Sequence, residues 1–106
     1  CEYLRGRGCR IVACNYRSRF GEIDVIAEDR KFLIFAEVKL RKSAEHGAAR
    51  EFVDAWKQER LRQTALLWLE GHETRLQPRF DVIEIYGDAD TPHRQRRINQ
   101  IENAFE

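Results

Sequence analysis

The 106-residue sequence lacks methionine and begins at Cys1. Because no initiator residue is present, some N-terminal sequence is expected to be missing, including part of a first helix. The chain has only three cysteines, Cys1, Cys9 and Cys14, and no CxxC spacing, which argues against a disulfide framework or a zinc knuckle. We interpret them as free thiols, as expected for a protein of the reducing cytoplasm.

Long apolar runs are also absent from the sequence. No run reaches the roughly 18 apolar residues that a membrane-spanning helix requires, and no signal peptide is visible. The length suits one domain, residues 1–106, with one hydrophobic core. Neither a membrane nor a small-molecule cofactor is expected as a partner.

A strong net charge is missing as well, since 19 basic and 18 acidic residues give a formal charge of +1. The bulk charge therefore does not indicate a nucleic-acid-binding protein, but its distribution is uneven. Five arginines and no acid lie between residues 3 and 19: Arg5, Arg7, Arg10, Arg17 and Arg19. A second basic cluster occupies residues 93–97. Local patches of this kind can hold phosphates, although an ordinary solvated charged surface is the alternative.

Four apolar or alternating stretches predict β-strands at residues 9–16, 22–28, 32–40 and 79–86. A short turn at Asp29 and Arg30 separates the second and third strands, which predicts an antiparallel hairpin. The third strand is apolar on both faces along most of its length. This pattern is typical of a central strand that is covered on both sides.

Helices are predicted at residues 1–6, at 49–70 and, from apolar residues at helical spacing, in a short tail over 98–105. The strand–helix–strand order after residue 32 predicts that the fourth strand lies parallel to the third. The fold class is therefore α/β, with a mixed sheet that combines an antiparallel hairpin and a parallel βαβ strand, flanked by helices.

Charged residues interrupt the predicted hairpin at Asp24, Glu37 and Lys39. Glu37 and Lys39 share a face because side chains on a strand repeat every two residues. Asp24, on the neighbouring strand, lies either diagonal to Glu37 or opposite it, depending on the length of the turn. Carboxylates this close repel each other, and Mg²⁺, which takes oxygen ligands, would relieve the repulsion.

Lys39 could then hold a water or neutralise charge that develops on a phosphate. The alternative is an internal ion pair between Lys39 and Glu37 or Asp24, since structural ion pairs also occur at such positions. The spacing alone leaves both interpretations open.

Lys57 interrupts the apolar stripe of the long helix, which is formed by Val53, Leu61, Ala65 and Trp68. A charge in such a stripe needs a partner, and the carboxylates of the hairpin are candidates. The alternative is that Lys57 extends to solvent at the edge of the helix.

Two further sets of residues have competing interpretations. Asp81 is either a third acid near the carboxylates or a hydrogen-bonding group at the end of a strand. Phe52, Trp56 and Trp68 are expected in the core rather than as base-stacking platforms.

An acid on the second strand followed by Glu37-Val38-Lys39 resembles the motif of the PD-(D/E)xK nuclease superfamily. The ordered set "NYRSRFGEIDVIA", "FAEVKLRKS", "VDAWKQERL", "RFDVIEI" and "IENAF" resembles the YraN family, bacterial proteins related in fold to archaeal Holliday junction resolvases. The resemblance covers nearly the whole chain.

The resemblance implies a restriction-endonuclease-like fold in which Asp24 and Glu37 bind Mg²⁺ or Mn²⁺ and Lys39 is catalytic. Glu22 and Gln58 match accessory polar positions of the superfamily, and Lys57 joins them through its place in the stripe. The superfamily often adds a glutamate from the first helix, and the family pattern has a Gly-Glu pair there. That part is expected to be missing from this sequence and Glu2 does not fit the spacing, so the site as given is expected to be incomplete.

The implied activity is Mg²⁺-dependent hydrolysis of phosphodiester bonds in DNA, including branched DNA, with Arg17, Arg19 and Arg41 as DNA contacts. One alternative is a nuclease-fold module that binds nucleic acid with weak or no catalysis, and another is a protein-interaction scaffold. Resolvase relatives act as dimers, so a homodimer is expected, with the apolar tail around Phe105 as one candidate contact.

Overall fold

The computed structural model describes residues 2–41, 54–87 and 96–105, with no description of the Arg41 side chain. The elements in chain order are α1 (Glu2–Gly6), β1 (Arg10–Ser18), β2 (Gly21–Glu28), β3 (Phe32–Arg41), α2 (Ala55–Glu70), β4 (Gln77–Tyr86) and β5 (Arg97–Phe105). The strands form one sheet in the order β1-β2-β3-β4-β5. The predicted α/β class and the central position of β3 are therefore confirmed.

β2 and β3 form the predicted antiparallel hairpin, with Glu28 opposite Leu33 and Val25 opposite Ala36. Asp29 closes the turn, because its Oδ1 accepts hydrogen bonds from the backbone N–H groups of Lys31 (2.8 Å) and Phe32 (2.7 Å). Carboxylates of this kind commonly stabilise turns by bonding the backbone two residues ahead. The turn is therefore longer than two residues, which is the alternative that directs Asp24 towards Glu37 rather than Phe35.

β4 runs parallel to β3, as predicted, with Glu37 beside Val82 and Lys39 beside Glu84. The intervening helix α2 begins after Asp54, whose side chain accepts a hydrogen bond from the Lys57 N–H at 2.8 Å. Such an N-cap satisfies a donor that the first helical turn leaves unpaired. Residues 49–53 of the predicted helix lie outside the described residues.

The tail forms a strand, so the predicted tail helix is wrong. β5 pairs antiparallel with β4, from Tyr86 opposite Arg97 to Phe80 opposite Phe105. The apolar spacing of three resembles a helical pattern, but a bulge opposite Phe80 and Val82 shifts the alternation of the strand. Strand pairing also satisfies the edge of β4, which would otherwise leave a row of backbone polar groups unpaired.

Two hydrophobic clusters cover the two faces of the sheet. The α2-side cluster contains Ile23, Ile26, Leu33, Phe35, Leu61, Ala65, Trp68, Val82 and Phe105. The α1-side cluster contains Leu4, Val25, Ala27, Ile34, Ala36 and Ile83. Phe105, the candidate dimer contact, is thus part of this core and stacks on Phe80 with ring centroids 5.0 Å apart.

Of the aromatic residues expected in the core, Trp68 is buried, whereas Trp56 is 68% exposed and that prediction is wrong. Trp56 lies outside the stripe of α2 that packs on the sheet, since Leu61, Ala65 and Trp68 form that stripe. Phe52 and Val53 lie outside the described residues. Neither described helix combines the length and apolar character that crossing a membrane requires.

Both outer strands of the sheet contain irregularities. In β1 the register shifts between Ile11 and Ala13, and Asn15 adopts a left-handed backbone conformation with φ 53°. In β5 the same conformation occurs at Asn103, with φ 51°. Asparagine is one of the few residues other than glycine that tolerates this conformation.

Candidate metal centre

Asp24 lies where β2 separates from β3, one residue beyond the last regular pair, Val25 opposite Ala36. Its Oδ2 accepts a hydrogen bond of 2.8 Å from the backbone N–H of Val38. In a continued hairpin, that donor would face the backbone of the neighbouring strand. The Asp24 carboxylate therefore takes the place of a backbone partner and is held next to Glu37.

The facing pattern of β2 also changes at this position. Ile23 and Ile26 both belong to the α2-side cluster, whereas Val25 belongs to the α1-side cluster. In a regular strand, residues three apart point to opposite faces. The alternation of faces is therefore broken between Ile23 and Val25. Asp24 lies at this break, so its side chain does not follow the regular strand pattern that the sequence predicts.

Glu37 is the centre of the charged group on the α2 side of β3. Its side chain is only 13% exposed, and its Oε1 lies 2.6 Å from Nζ of Lys57 and 3.4 Å from Nζ of Lys39. Its Oε2 is buried and has no hydrogen-bond partner among the described residues. A buried charged oxygen without a partner costs free energy, so this atom is suited to a ligand.

Lys57 reaches Glu37 because α2 packs its apolar stripe on the same face of the sheet. Leu61, Ala65 and Trp68 are buried there, and Lys57 lies one helical turn before Leu61. The hydrogen bond to Glu37 raises the pKa of Lys57 above its ordinary value, with a further contribution from the charge of Asp24. Of the two interpretations of Lys57, contact with the carboxylates is the one observed.

The donor set is small. Within residues 2–41, 54–87 and 96–105, no three histidine, cysteine, aspartate or glutamate side chains come together as a metal cluster. Asp24 and Glu37 nevertheless fit a hard divalent cation, since Mg²⁺ is commonly bound by one or two carboxylates and completed by waters and phosphate oxygens. The unpartnered Oε2 of Glu37 is the atom that favours this fit.

The other two accessory residues, Glu22 and Gln58, have contacts that differ from those of Lys57. Glu22 lies opposite Arg17 on the neighbouring strand and pairs with its Nε at 3.3 Å on the outer part of the sheet. Gln58 follows Lys57 on α2, and its Oε1 accepts a hydrogen bond from Nη2 of Arg62 at 3.4 Å. The described contacts thus place Lys57, but not Glu22, beside Glu37.

The arginines expected to contact DNA are exposed where they are described. The Arg17 side chain is 78% exposed, and the exposed Arg19 places its guanidinium 4.9 Å from the ring centroid of Phe20. The side chain of Arg41 lies outside the described residues. Like Arg17, which pairs with Glu22, two other arginines form ion pairs, as in an ordinary charged surface. Arg7 pairs with Glu102 and Arg10 pairs with Glu28.

Asp81 is a structural hydrogen-bonding group on the α1 side of the sheet. Two nitrogens of Arg79 donate to its two carboxylate oxygens at 2.9 Å each, and Gln100 and the Asn103 backbone N–H donate at 2.7 and 3.1 Å. Its neighbour in the register is Ala36, so it points away from the face of Glu37. Asp81 is therefore not a third acid of the centre.

Glu84 is a buried acid that the sequence analysis did not single out. It is 1% exposed and lies beside Lys39 in the parallel register. The Tyr86 hydroxyl and the Asn99 amide donate to its Oε1 at 3.2 and 3.0 Å. The alternation of Phe80, Val82 and Glu84 was the available signal, since it places Glu84 on the α2 side.

Comparison with known proteins gives consistent matches. A family model described as "Uncharacterised protein family UPF0102" matches residues 1–85. A UPF0102 protein of Pelotomaculum thermopropionicum is 39% identical over 105 residues, which cover 98% of this chain and 86% of that protein. For a UPF0102 protein of Symbiobacterium thermophilum the identity is 43% over the same shares. One of Vibrio parahaemolyticus is 39% identical, covering 98% of this chain and 83% of that protein.

Proposed function

The chain belongs to the uncharacterised protein family UPF0102, the YraN family predicted from its motifs, and from the charged centre we propose that it is a Mg²⁺-dependent DNA endonuclease. Its substrates include branched DNA. Cys9 and Cys14 form no disulfide among the described residues, which is compatible with action in the reducing cytoplasm. Because fold alone does not determine function, the proposal depends on the charged centre at the end of β3.

One observation carries the proposal: Glu37 presents a buried carboxylate oxygen that has no partner in the described part of the chain, next to two ammonium groups and close to Asp24. A purely structural ion pair would be expected to satisfy both oxygens of a carboxylate that is 13% exposed. A site that binds a cation instead needs a carboxylate oxygen that is not already occupied by a protein donor.

Each residue of the centre has a separate role in the proposal. Asp24 and Glu37 hold the cation, which supplies Lewis-acid chemistry to a phosphodiester when bound. Lys39, 3.4 Å from Glu37 Oε1, holds the attacking water or offsets the negative charge that develops on the phosphate. Lys57 fixes Glu37 in the free protein and turns to a non-bridging phosphate oxygen when DNA binds.

The DNA backbone is held by exposed arginines near the turn between β1 and β2. Arg17 and Arg19 are exposed, and they precede Asp24 by only a few residues. Cations at such positions neutralise phosphates and make binding dependent on salt. The weak net charge of +1 does not oppose this arrangement, because local charge governs local binding.

The proposal is tested by cleavage of duplex, single-stranded and four-way DNA with Mg²⁺ or Mn²⁺. Cleavage of at least one substrate is expected from the parent protein and none from Glu37→Gln or Asp24→Asn, which keep the size of the side chains. Arg75→Gln, at an exposed loop position, is the control and should cleave as the parent does. If Glu37→Gln cuts as fast as the parent, the proposed endonuclease is wrong.

A second candidate function is a DNA-binding module without catalysis. The observation that favours it is the 2.6 Å contact between Lys57 and Glu37, because an ammonium group at this position already neutralises the carboxylate. This function predicts salt-dependent DNA binding that needs no metal and survives Asp24→Asn. The third interpretation, a protein-interaction scaffold, predicts no DNA binding at moderate salt.

A further inference from the structure

Trp56 is a large aromatic side chain at the surface and is 68% exposed. It occupies the second position of α2, directly before Lys57. Successive side chains on a helix are about 1.5 Å apart along the axis and about 100° apart around it. Trp56 therefore flanks the candidate metal centre without contributing to the core.

The guanidinium group of Arg60 lies against the Trp56 ring. The guanidinium carbon of Arg60, one helical turn later, lies 4.7 Å from the ring centroid. Arg60 is itself fixed, because its Nε donates a hydrogen bond of 2.5 Å to the backbone oxygen of Phe20. The guanidinium thus orients the ring by a cation–π contact, while most of the ring stays exposed.

The same side of α2 is fastened to the turn between β1 and β2. Thr64, one turn beyond Arg60, lies 3.1 Å from the Ser18 hydroxyl through its Oγ1. The turn carries Arg19, whose guanidinium lies over Phe20 at 4.9 Å. An exposed aromatic ring backed by one fixed guanidinium combines base stacking with attraction for a phosphodiester backbone, as single-strand-binding surfaces do.

We propose that Trp56, backed by Arg60, is a stacking platform for an unpaired base beside the phosphate that is cleaved. The substrate class is then DNA with single-stranded nucleotides at or next to the cleavage point, as at a junction, flap or gap. A continuous duplex keeps its bases stacked on each other and offers no ring face to Trp56. This inference rests on the proposed endonuclease, because Lys57 places the platform beside Glu37.

The test is a fluorescence titration with a short oligothymidylate in the presence of a chelator, so that no cleavage occurs. The chain has two tryptophans, and Trp68 is buried, so quenching on binding should come from Trp56. Trp56→Phe should lose the quenching but bind nearly as the parent does, as followed with a labelled strand. Trp56→Ala should bind about tenfold more weakly, in line with the loss of one stacked base.

Leu66→Ala is the matched control, because Leu66 is 60% exposed on the same helix and should not change the affinity. A blunt duplex should bind Trp56→Ala nearly as it binds the parent, since phosphate contacts dominate that affinity. Parent-like affinity of Trp56→Ala for the single strand would overturn the platform, as would an equal loss for both DNA forms.

Cleavage assays with Mn²⁺ on the same variants separate the two proposals. If the parent cuts DNA and Trp56→Ala shows unchanged single-strand binding, the platform fails and the endonuclease stands. If Trp56→Ala loses single-strand affinity but the parent cuts no substrate, the endonuclease fails and the platform stands as a binding surface. A parent that neither binds nor cuts DNA contradicts both.

Discussion

The Lys57 ammonium of α2 lies 2.6 Å from Oε1 of Glu37 on β3. This contact joins the helix to the charged end of the central strand, and Lys39 approaches the same oxygen at 3.4 Å. The other Glu37 oxygen is buried and unpartnered among the described residues. In the free protein, Oε1 of Glu37 is therefore paired with lysines, and Oε2 is available to a ligand.

Lys57→Met should strengthen binding of a divalent cation, because the ammonium competes with the cation for Glu37. We expect Mn²⁺ to raise the Tm of Lys57→Met by more than it raises that of the parent, since a ligand stabilises the state that binds it. Differential scanning fluorimetry over a Mn²⁺ titration measures this. Arg75→Met removes an equal charge from an exposed loop position and should respond as the parent does; equal shifts in all three proteins contradict the competition.

The contribution of Lys57 to stability should disappear in alkaline solution. Glu37 raises the pKa of Lys57 above 10.5 in the folded protein, so the stabilisation is present below the unfolded value and is lost as the pH rises through the folded value. Without metal, Lys57→Met should cost about 1 kcal/mol at neutral pH, given that Lys57 is 43% exposed. Urea unfolding should show that the difference in free energy of unfolding between parent and variant becomes smaller above pH 10.5. A difference that stays constant with pH contradicts this prediction.

Asp29 should stabilise the β2–β3 turn in a pH-dependent way. The hydrogen bond from the Phe32 backbone N–H lowers the pKa of Asp29 below 3.8, so its stabilisation exists above the unfolded value and is lost as the pH falls through the folded value. Asp29→Ala should cost about 1 kcal/mol at neutral pH and less in strong acid, where the protonated side chain is only a neutral acceptor. Urea midpoints at both pH values test this, with Asp29→Asn, which keeps an acceptor, expected to lie between parent and alanine variant.

The buried Arg79–Asp81 ion pair should contribute far more to the free energy of unfolding than the more exposed contact between Arg79 and Glu102. The Asp81 side chain is fully buried and that of Arg79 is 10% exposed, so Asp81→Ala leaves the buried Arg79 cation with only the half-exposed Glu102, 3.6 Å away, and should cost about 3–5 kcal/mol. Glu102→Ala removes a carboxylate that is 51% exposed and should cost less than about 1 kcal/mol. Denaturation curves measure both, and amide exchange should show β5 opening first in Asp81→Ala; similar costs for the two variants would contradict the assignment.

The central strands could be predicted from the sequence because local pattern and tertiary role agree there. β3 is apolar on both faces and is covered on both faces, by the α1-side and α2-side clusters. The tail could not be predicted in the same way, since the spacing of Ile98, Ile101 and Ala104 resembles one helical side. The unpaired edge of β4 decides between helix and strand, and that edge is a property of the whole sheet.

The shared face of Glu37 and Lys39 also followed from the strand repeat. The helical repeat gave contact between Lys57 and the carboxylates as one of two open interpretations. The hydrogen bond from the Val38 backbone N–H to the Asp24 side chain could not be predicted, because it depends on where β2 separates from β3. The exposure of Trp56 was missed for a related reason. Its large apolar ring favours burial, and only the orientation of α2 on the sheet determines which helical positions are covered.

The two left-handed asparagines restrict how copies of this chain can associate. Asn15 lies in β1 and Asn103 in β5, and each irregular strand borders the sheet. A kinked border strand is a poor template for backbone pairing with another molecule. If the expected homodimer forms, it should not extend the sheet across the two copies, and its contacts should be made by side chains on the helices or loops.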